Sequence, residues 1–232
     1  MAKDVALIVG VGPGLGEALA RRFAKGGFRV AVAARRQEAI AALARDIDGR
    51  AYAADATVEG EVDRLFASVQ ADLGAPSVAI YNAGVSGPGG IFDLSTADFE
   101  RSWRIGCLGG FLVGQRAARL MVEAGKGTIL FTGATGSLRG SAGWLKLTVG
   151  KFGLRALAQS MARELGPKGI HVAHAIIDGH ILGERYTTMA KERPADALLR
   201  PDDIAETYWQ LHAQPRSAWT FELDLRPWVE KF

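Results

Sequence analysis

The sequence predicts an α/β fold: a doubly wound, seven-stranded parallel sheet with helices on both faces, as a single domain over residues 1–232. Three observations predict it. Val5 to Val9 is a continuous apolar run, the pattern of a strand buried on both faces. Gly10, Gly12, Gly14 and Gly16 follow at once, and Leu15, Ala18, Leu19 and Phe23 then recur at helical spacing. Strand and helix patterns alternate from there on without a Pro/Gly/Ser-rich linker, as βαβ units of a parallel sheet do.

The elements read as follows. Gly26 and Gly27 end the first helix, and Val30 to Ala34 form a second buried strand. Gln37 to Arg45 reads as a helix, Arg50 to Ala54 as a third strand, and Val58 to Leu73 as an amphipathic helix burying Val62, Leu65, Phe66 and Val69. Val78 to Tyr81 is a fourth strand. Ser95 is placed to cap a long helix reaching about Ala124, with Asp98 in its first turn. Thr128 to Thr132 is a fifth strand, Ala142 to Leu165 a helix and Ile170 to Ala175 a sixth strand. Residues 178–200 look irregular and read as a loop on the substrate side. Pro201 and Asp202 open a last helix ending near His212, and Trp219 to Leu223 is the seventh strand.

Composition narrows the classes. Hydrophobic residues at 48% and charged residues at 23% describe an ordinary globule with a large core. A net charge of +3 with no basic run argues against nucleic acid. No apolar run is long enough to span a membrane, and the apolar N-terminal stretch flows straight into the glycine turn, as a first strand would. The single cysteine, Cys107, cannot form an internal disulfide, which fits a reducing compartment, so a cytoplasmic location is expected. No metal site is read.

The strand, glycine turn and helix aim backbone N–H groups and a positive helix end at one point, which suits a pyrophosphate. The plain alternative is a tight turn with close helix–strand packing. The second strand ends in Arg35-Arg36, where an NAD site usually carries an acidic residue. A guanidinium there favours a ribose 2′-phosphate, so NADP(H) is expected over NAD; a solvated surface pair is the alternative.

The spacing Gly10-x-x-x-Gly14-x-Gly16, set after a first strand, resembles the short-chain dehydrogenase/reductase family, with its Rossmann-type fold. The resemblance runs from Val5 to about Gly179. It implies that Gly10, Gly14, Leu15 and Gly16 border the cofactor, with Arg35 and Arg36 at the ribose. Asn82-Ala83-Gly84 is similar to the family's NAG element, which borders the cofactor and steadies the central strand. Asp55, with Ala56, matches the residue facing adenine, though a turn residue accepting backbone N–H groups would look the same. Gly179 and Ile181 match positions near the carboxamide, although Asp178-Gly179 stands where the family more often has Pro-Gly.

The family's reaction moves a hydride between nicotinamide and a carbonyl or alcohol, using a Tyr-x-x-x-Lys pair, a serine and an asparagine. The segment from Gly127 to Leu154 matches without gaps. Lys151 falls on the family lysine, a catalytic and ribose-binding position. The tyrosine position is Leu147, the serine position Ala134 and the asparagine position Gly106. Leucine cannot donate a proton. Thr132, Thr135, Ser137 and Thr148 are nearby hydroxyls that can hydrogen-bond but are unsuited to giving a proton, and His180, with Tyr186 in the same loop, is the best stand-in acid by pKa, a solvated loop histidine being the alternative. Two readings follow: an NADP(H)-dependent oxidoreductase with an atypical proton route, or a non-catalytic NADP(H)-binding pseudoenzyme acting as sensor or partner subunit. The substrate would be a small molecule. The resemblance further implies a homodimer or homotetramer built on the two long helices. Gly106, Gly109, Gly110 and Gly114 fit either that close approach or packing within the chain.

Overall fold

The structure, a computed structural model, describes residues 3–85 and 87–231. The extreme ends of the expected 1–232 unit lie outside the described residues. The strands are β1 (Val5–Val9), β2 (Arg29–Ala34), β3 (Arg50–Ala53), β4 (Pro76–Tyr81), β5 (Gly127–Thr132), β6 (Ile170–Ile177) and β7 (Glu222–Leu225). They form one parallel sheet in the order β3-β2-β1-β4-β5-β6-β7. The chain winds outward from β1 to β3, crosses back to β4, and winds the other way to β7. Strand order reverses between β1 and β4, the switch point outside whose carboxyl ends ligands of such sheets bind.

Alternate residues of the central strands bury opposite faces. Leu7, Val9 and Tyr81 meet α3 (Glu59–Asp72), α5 (Gly109–Ala124) and α6 (Leu145–Leu165) through Val62, Phe66, Val113 and Leu154. Ile8, Val32 and Ile80 meet α1 (Leu15–Lys25), α2 (Ala41–Asp46) and α8 (Pro201–His212) through Leu19, Phe23, Leu43 and Tyr208. Both faces are covered, which explains why these strands read as unbroken apolar runs.

Several boundaries differ from the sequence reading. The helix expected over Gln37–Arg45 is a 3-10 turn (Gln37–Ala39) followed by α2, broken where Ile40 turns its side chain into the core. The helix expected from Ala142 begins at Leu145, because Gly143 has φ +77 and its carbonyl accepts the Gly89 N–H. Residues 178–200 are more ordered than expected: Ile181 bridges Leu199, and α7 (Thr187–Glu192) lies between them. The seventh strand is β7, not Trp219–Leu223. Trp219 instead stacks flat on His171, and the Gln214 side chain holds the Thr220 N–H, so pairing starts only at Glu222.

The long helix is capped as expected, with the Asp98 N–H donating to Ser95 Oγ at 3.1 Å. It runs as α4 (Thr96–Trp103), a π-helical turn (Arg104–Leu108) and α5. A π turn leaves a carbonyl without its usual helical partner. Here the Ile105 carbonyl accepts the Tyr81 hydroxyl at 2.6 Å. The helix glycines face inward. Gly106 meets the Gly150 backbone, Gly109 and Gly110 meet Tyr81, and Gly114 meets Phe131 and Met161. Packing within the chain therefore accounts for all four.

Candidate active site

The turn after β1 is set by close contacts. Gly10 has φ +87, and a Cβ there would stand 2.6 Å from the Ala83 Cα. Gly14 precedes α1 with φ +95 and no side chain caps that helix. The N–H groups of Glu17 and Ala18 turn back to the Gly12 and Gly14 carbonyls. Over Gly12 and Gly14 a Cβ would meet nothing within 4 Å, so the helix end faces open space. Gly16 packs on the turn itself, 2.8 Å from the Val11 Cα by the same construction. An uncapped positive helix end under a glycine turn fits a dinucleotide pyrophosphate.

The other expected residues line the same edge. Asn82 donates from Nδ2 to the Gly10 carbonyl (3.2 Å) and accepts Thr132 Oγ1 on Oδ1 (3.0 Å). It thereby ties the ends of β1, β4 and β5 together. A Cβ on Gly84 would stand 3.4 Å from Lys151 Nζ. Gly16, Gly10, Asn82, Ala83, Gly84 and Lys151 thus form one continuous line. Arg35 and Arg36 are exposed at the end of β2, and among the described residues neither is ion-paired. Asp55 Oδ1 accepts both the N–H and the hydroxyl of Thr57, so it shapes a turn, with buried Ala56 inside it. Gly179 lies against Pro227, and Ile181 pairs with Leu199 at the far side of the edge.

Lys151 is buried, at 5% exposure, without a carboxylate partner among the described residues; its Nζ donates to the Thr132 carbonyl at 2.5 Å. Burial disfavours the ammonium and lowers its pKa to about 8. Leu147 stands one helical turn earlier, against the Gly136 backbone. Ala134 offers no side-chain donor.

The nearby hydroxyls are mostly committed. Thr132 Oγ1 donates to Asn82 and accepts the buried Tyr208 hydroxyl at 2.9 Å. Thr135 donates to Asp178, and Ser137 lies against His174. Thr148 sits against the 136–140 turn with its hydroxyl buried and unpartnered. His180 packs against Tyr186, ring centroids 4.4 Å apart and planes tilted by 32°. His174, Tyr208 and Glu222 were not singled out from sequence, and Asp178 only as standing where the family more often has proline, yet all four support this end of the sheet. One signal was available: His171 and His174 interrupt an otherwise apolar strand.

The chain is similar in sequence and fold to known proteins. The short chain dehydrogenase family profile matches residues 4–197. A short-chain dehydrogenase/reductase of Armillaria gallica is 36% identical over 176 residues, covering 72% of this chain and 67% of that protein. The crystal structure of a short-chain dehydrogenase from Rhodopseudomonas palustris is 40% identical with a TM-score of 0.84, covering 97% of this chain and 99% of that one. A metagenomic short-chain oxidoreductase, solved in complex with NADP, is 25% identical with a TM-score of 0.85 and 99% coverage of both chains.

Proposed function

From the premise that this chain belongs to the short-chain dehydrogenase family, we propose that it is an NADP(H)-dependent oxidoreductase with an atypical proton route. The observation that carries this reading is the unbroken line from the glycine turn through Asn82-Ala83-Gly84 to buried Lys151. Bound there, the nicotinamide would supply or accept a hydride at a carbonyl or alcohol carbon.

The chain's own residues divide the remaining work. Gly10, Gly14, Leu15 and Gly16 would hold the pyrophosphate against the start of α1. Arg35 and Arg36 would bind the 2′-phosphate through charge-assisted hydrogen bonds, and Asp55 and Ala56 would border the adenine. Lys151 would bind the ribose, with Gly179 and Ile181 near the carboxamide. Leu147 and Ala134 bring no proton donor, so Lys151 Nζ holds the transferable proton. A pKa of about 8 keeps both of its protonation states accessible near neutrality. Thr148, about one helical turn before it, has a buried hydroxyl without a partner among the described residues.

The exposed Phe99, Trp103, Phe111 and Phe152 on the two long helical segments favour a homodimer or homotetramer formed through that face. A cytoplasmic location suits the lone, unpaired Cys107. A second reading, a non-catalytic NADP(H)-binding protein, is favoured by Leu147 and Ala134 standing where proton donors are expected.

NADPH oxidation over a panel of ketones, aldehydes, quinones and enones separates the two. Turnover by the wild type, lost in Lys151→Ala, supports the oxidoreductase. Turnover seen only in Ala134→Ser/Leu147→Tyr supports the second reading. Absence of affinity for either nicotinamide form overturns both.

A further inference from the structure

The turn from Ala134 to Ser137 borders the reacting end of the site, yet it carries no side chain suited to the reaction. Two chains of polar groups, buried at Ser137, His174 and Asp178 and partly exposed at their outer ends, hold it. In the first, Ser137 Oγ accepts the Ala134 N–H at 3.2 Å and lies 3.5 Å from His174 Nε2. His174 Nδ1 is 2.9 Å from Glu222 Oε2, and Arg155 donates to both Glu222 oxygens at 2.6 and 2.7 Å. In the second, Thr135 donates to Asp178, whose other oxygen is 3.2 Å from Arg226 Nη2; Arg226 also pairs with Asp224.

Charge fixes the direction of the first chain. Arg155 holds Glu222 ionised, so that carboxylate only accepts. The imidazole proton therefore sits on Nδ1, and Nε2 is left to accept the Ser137 hydroxyl. Serine, histidine and acid stand in the order of a hydrolytic triad, but Ser137 and His174 are both fully buried, with 0% exposure. No substrate reaches that serine. The imidazole instead wedges under the Gly133 backbone, where a Cβ would stand 2.6 Å from its Cε1. Arg155 lies one helical turn beyond Lys151, so this chain links α6 to the turn through β7 and β6.

We propose that His174 and Asp178 are positioning residues that clamp the Ala134–Ser137 turn beside Lys151, and that they sequester its two hydroxyls from the substrate. This rests on reading that end of the sheet as the substrate side. It makes the last strand, through Glu222 and Asp224, part of the site's support.

Nitrogen-correlated NMR of His174 and amide hydrogen exchange test the clamp directly, whether or not a substrate is found. The wild type should show the Nδ1–H tautomer. Ser137→Ala and His174→Phe should speed exchange of the Ala134 amide about ten-fold, the effect of losing roughly one hydrogen bond. Asp178→Leu should speed exchange at the Ser137 and Leu138 amides, and Asp178→Asn, which keeps an acceptor for Thr135, should restore it. With any acceptor that turns over, His174→Phe should lower kcat roughly ten- to hundred-fold while NADPH affinity holds within about two-fold. An Nε2–H tautomer in the wild type, or unchanged Ala134 exchange in Ser137→Ala, overturns the proposal even if His174→Phe fails to fold.

Discussion

Replacing Lys151 with methionine should stabilise the free protein at neutral pH, a result opposite to most buried substitutions. Burial lowers the lysine from 10.5 to about 8, and among the described residues no carboxylate pairs with it. A shift of that size corresponds to about 3 kcal/mol of penalty on the charged form. Methionine fills a similar volume without charge. Against this gain stands the Thr132 carbonyl, which loses its donor at a cost of about 1–3 kcal/mol. The net expectation at pH 7 is a gain of about 1 kcal/mol. Its pH dependence is the sharper test. Because the folded pKa lies below the unfolded one, the unfolded chain binds more protons between pH 8 and 10.5. Wild-type stability should therefore rise across that window, and the advantage of Lys151→Met should shrink over it. Urea unfolding of both proteins without cofactor, at pH 7, 8.5 and 10, measures this. A methionine variant whose stability relative to wild type is flat from pH 7 to 10 would refute the reasoning.

Four further outcomes are expected. His174, lowered to about 4 mainly by burial despite the Glu222 carboxylate and with Lys151 and Arg155 opposing its charge, makes the fold sensitive to acid. Its stabilisation is present above pH 6.5 and lost as pH falls toward 4, by up to about 3 kcal/mol; acid unfolding of wild type against Ser137→Ala and His174→Phe should show the last losing this component. Arg35→Ala/Arg36→Ala should weaken NADPH binding roughly ten- to hundred-fold and leave NADH nearly unchanged, read by fluorescence titration. Gly106→Ala should destabilise by about 1–3 kcal/mol, since its Cβ would stand 2.7 Å from the Gly150 Cα, and denaturant midpoints measure it. Thr148→Val should be neutral or stabilising by up to about 1 kcal/mol, because it removes a buried hydroxyl without a partner; a marked loss of stability would show that the hydroxyl is bonded after all.

Much of the fold was legible because both faces of the sheet are covered. Double burial makes the strands continuous apolar runs, and the glycine turn marks where the first one ends. Irregularity was harder to see. The π turn at Arg104–Leu108 depends on Tyr81, a residue of another element, supplying a hydroxyl to Ile105. Gly143 reads as one more small residue until its positive φ is known. The start of β7 is set by the Trp219–His171 stack, a contact that spans 48 positions and leaves no local pattern. At the site, the glycines, Asn82 and Lys151 carried their own spacing. The groups behind them did not, because Ser137, His174 and Glu222 come from a turn and two strands that meet only in the folded sheet.

The central claim is that a 2′-phosphorylated dinucleotide seats on the turn between β1 and α1, with its reactive end beside Lys151. Isothermal calorimetry of the wild-type protein with NADPH and then NADH tests it most directly. The account predicts saturable NADPH binding at least about ten-fold tighter than NADH, a gap of roughly 1.4 kcal/mol. Equal or tighter binding of NADH, or no heat from either form, would contradict it.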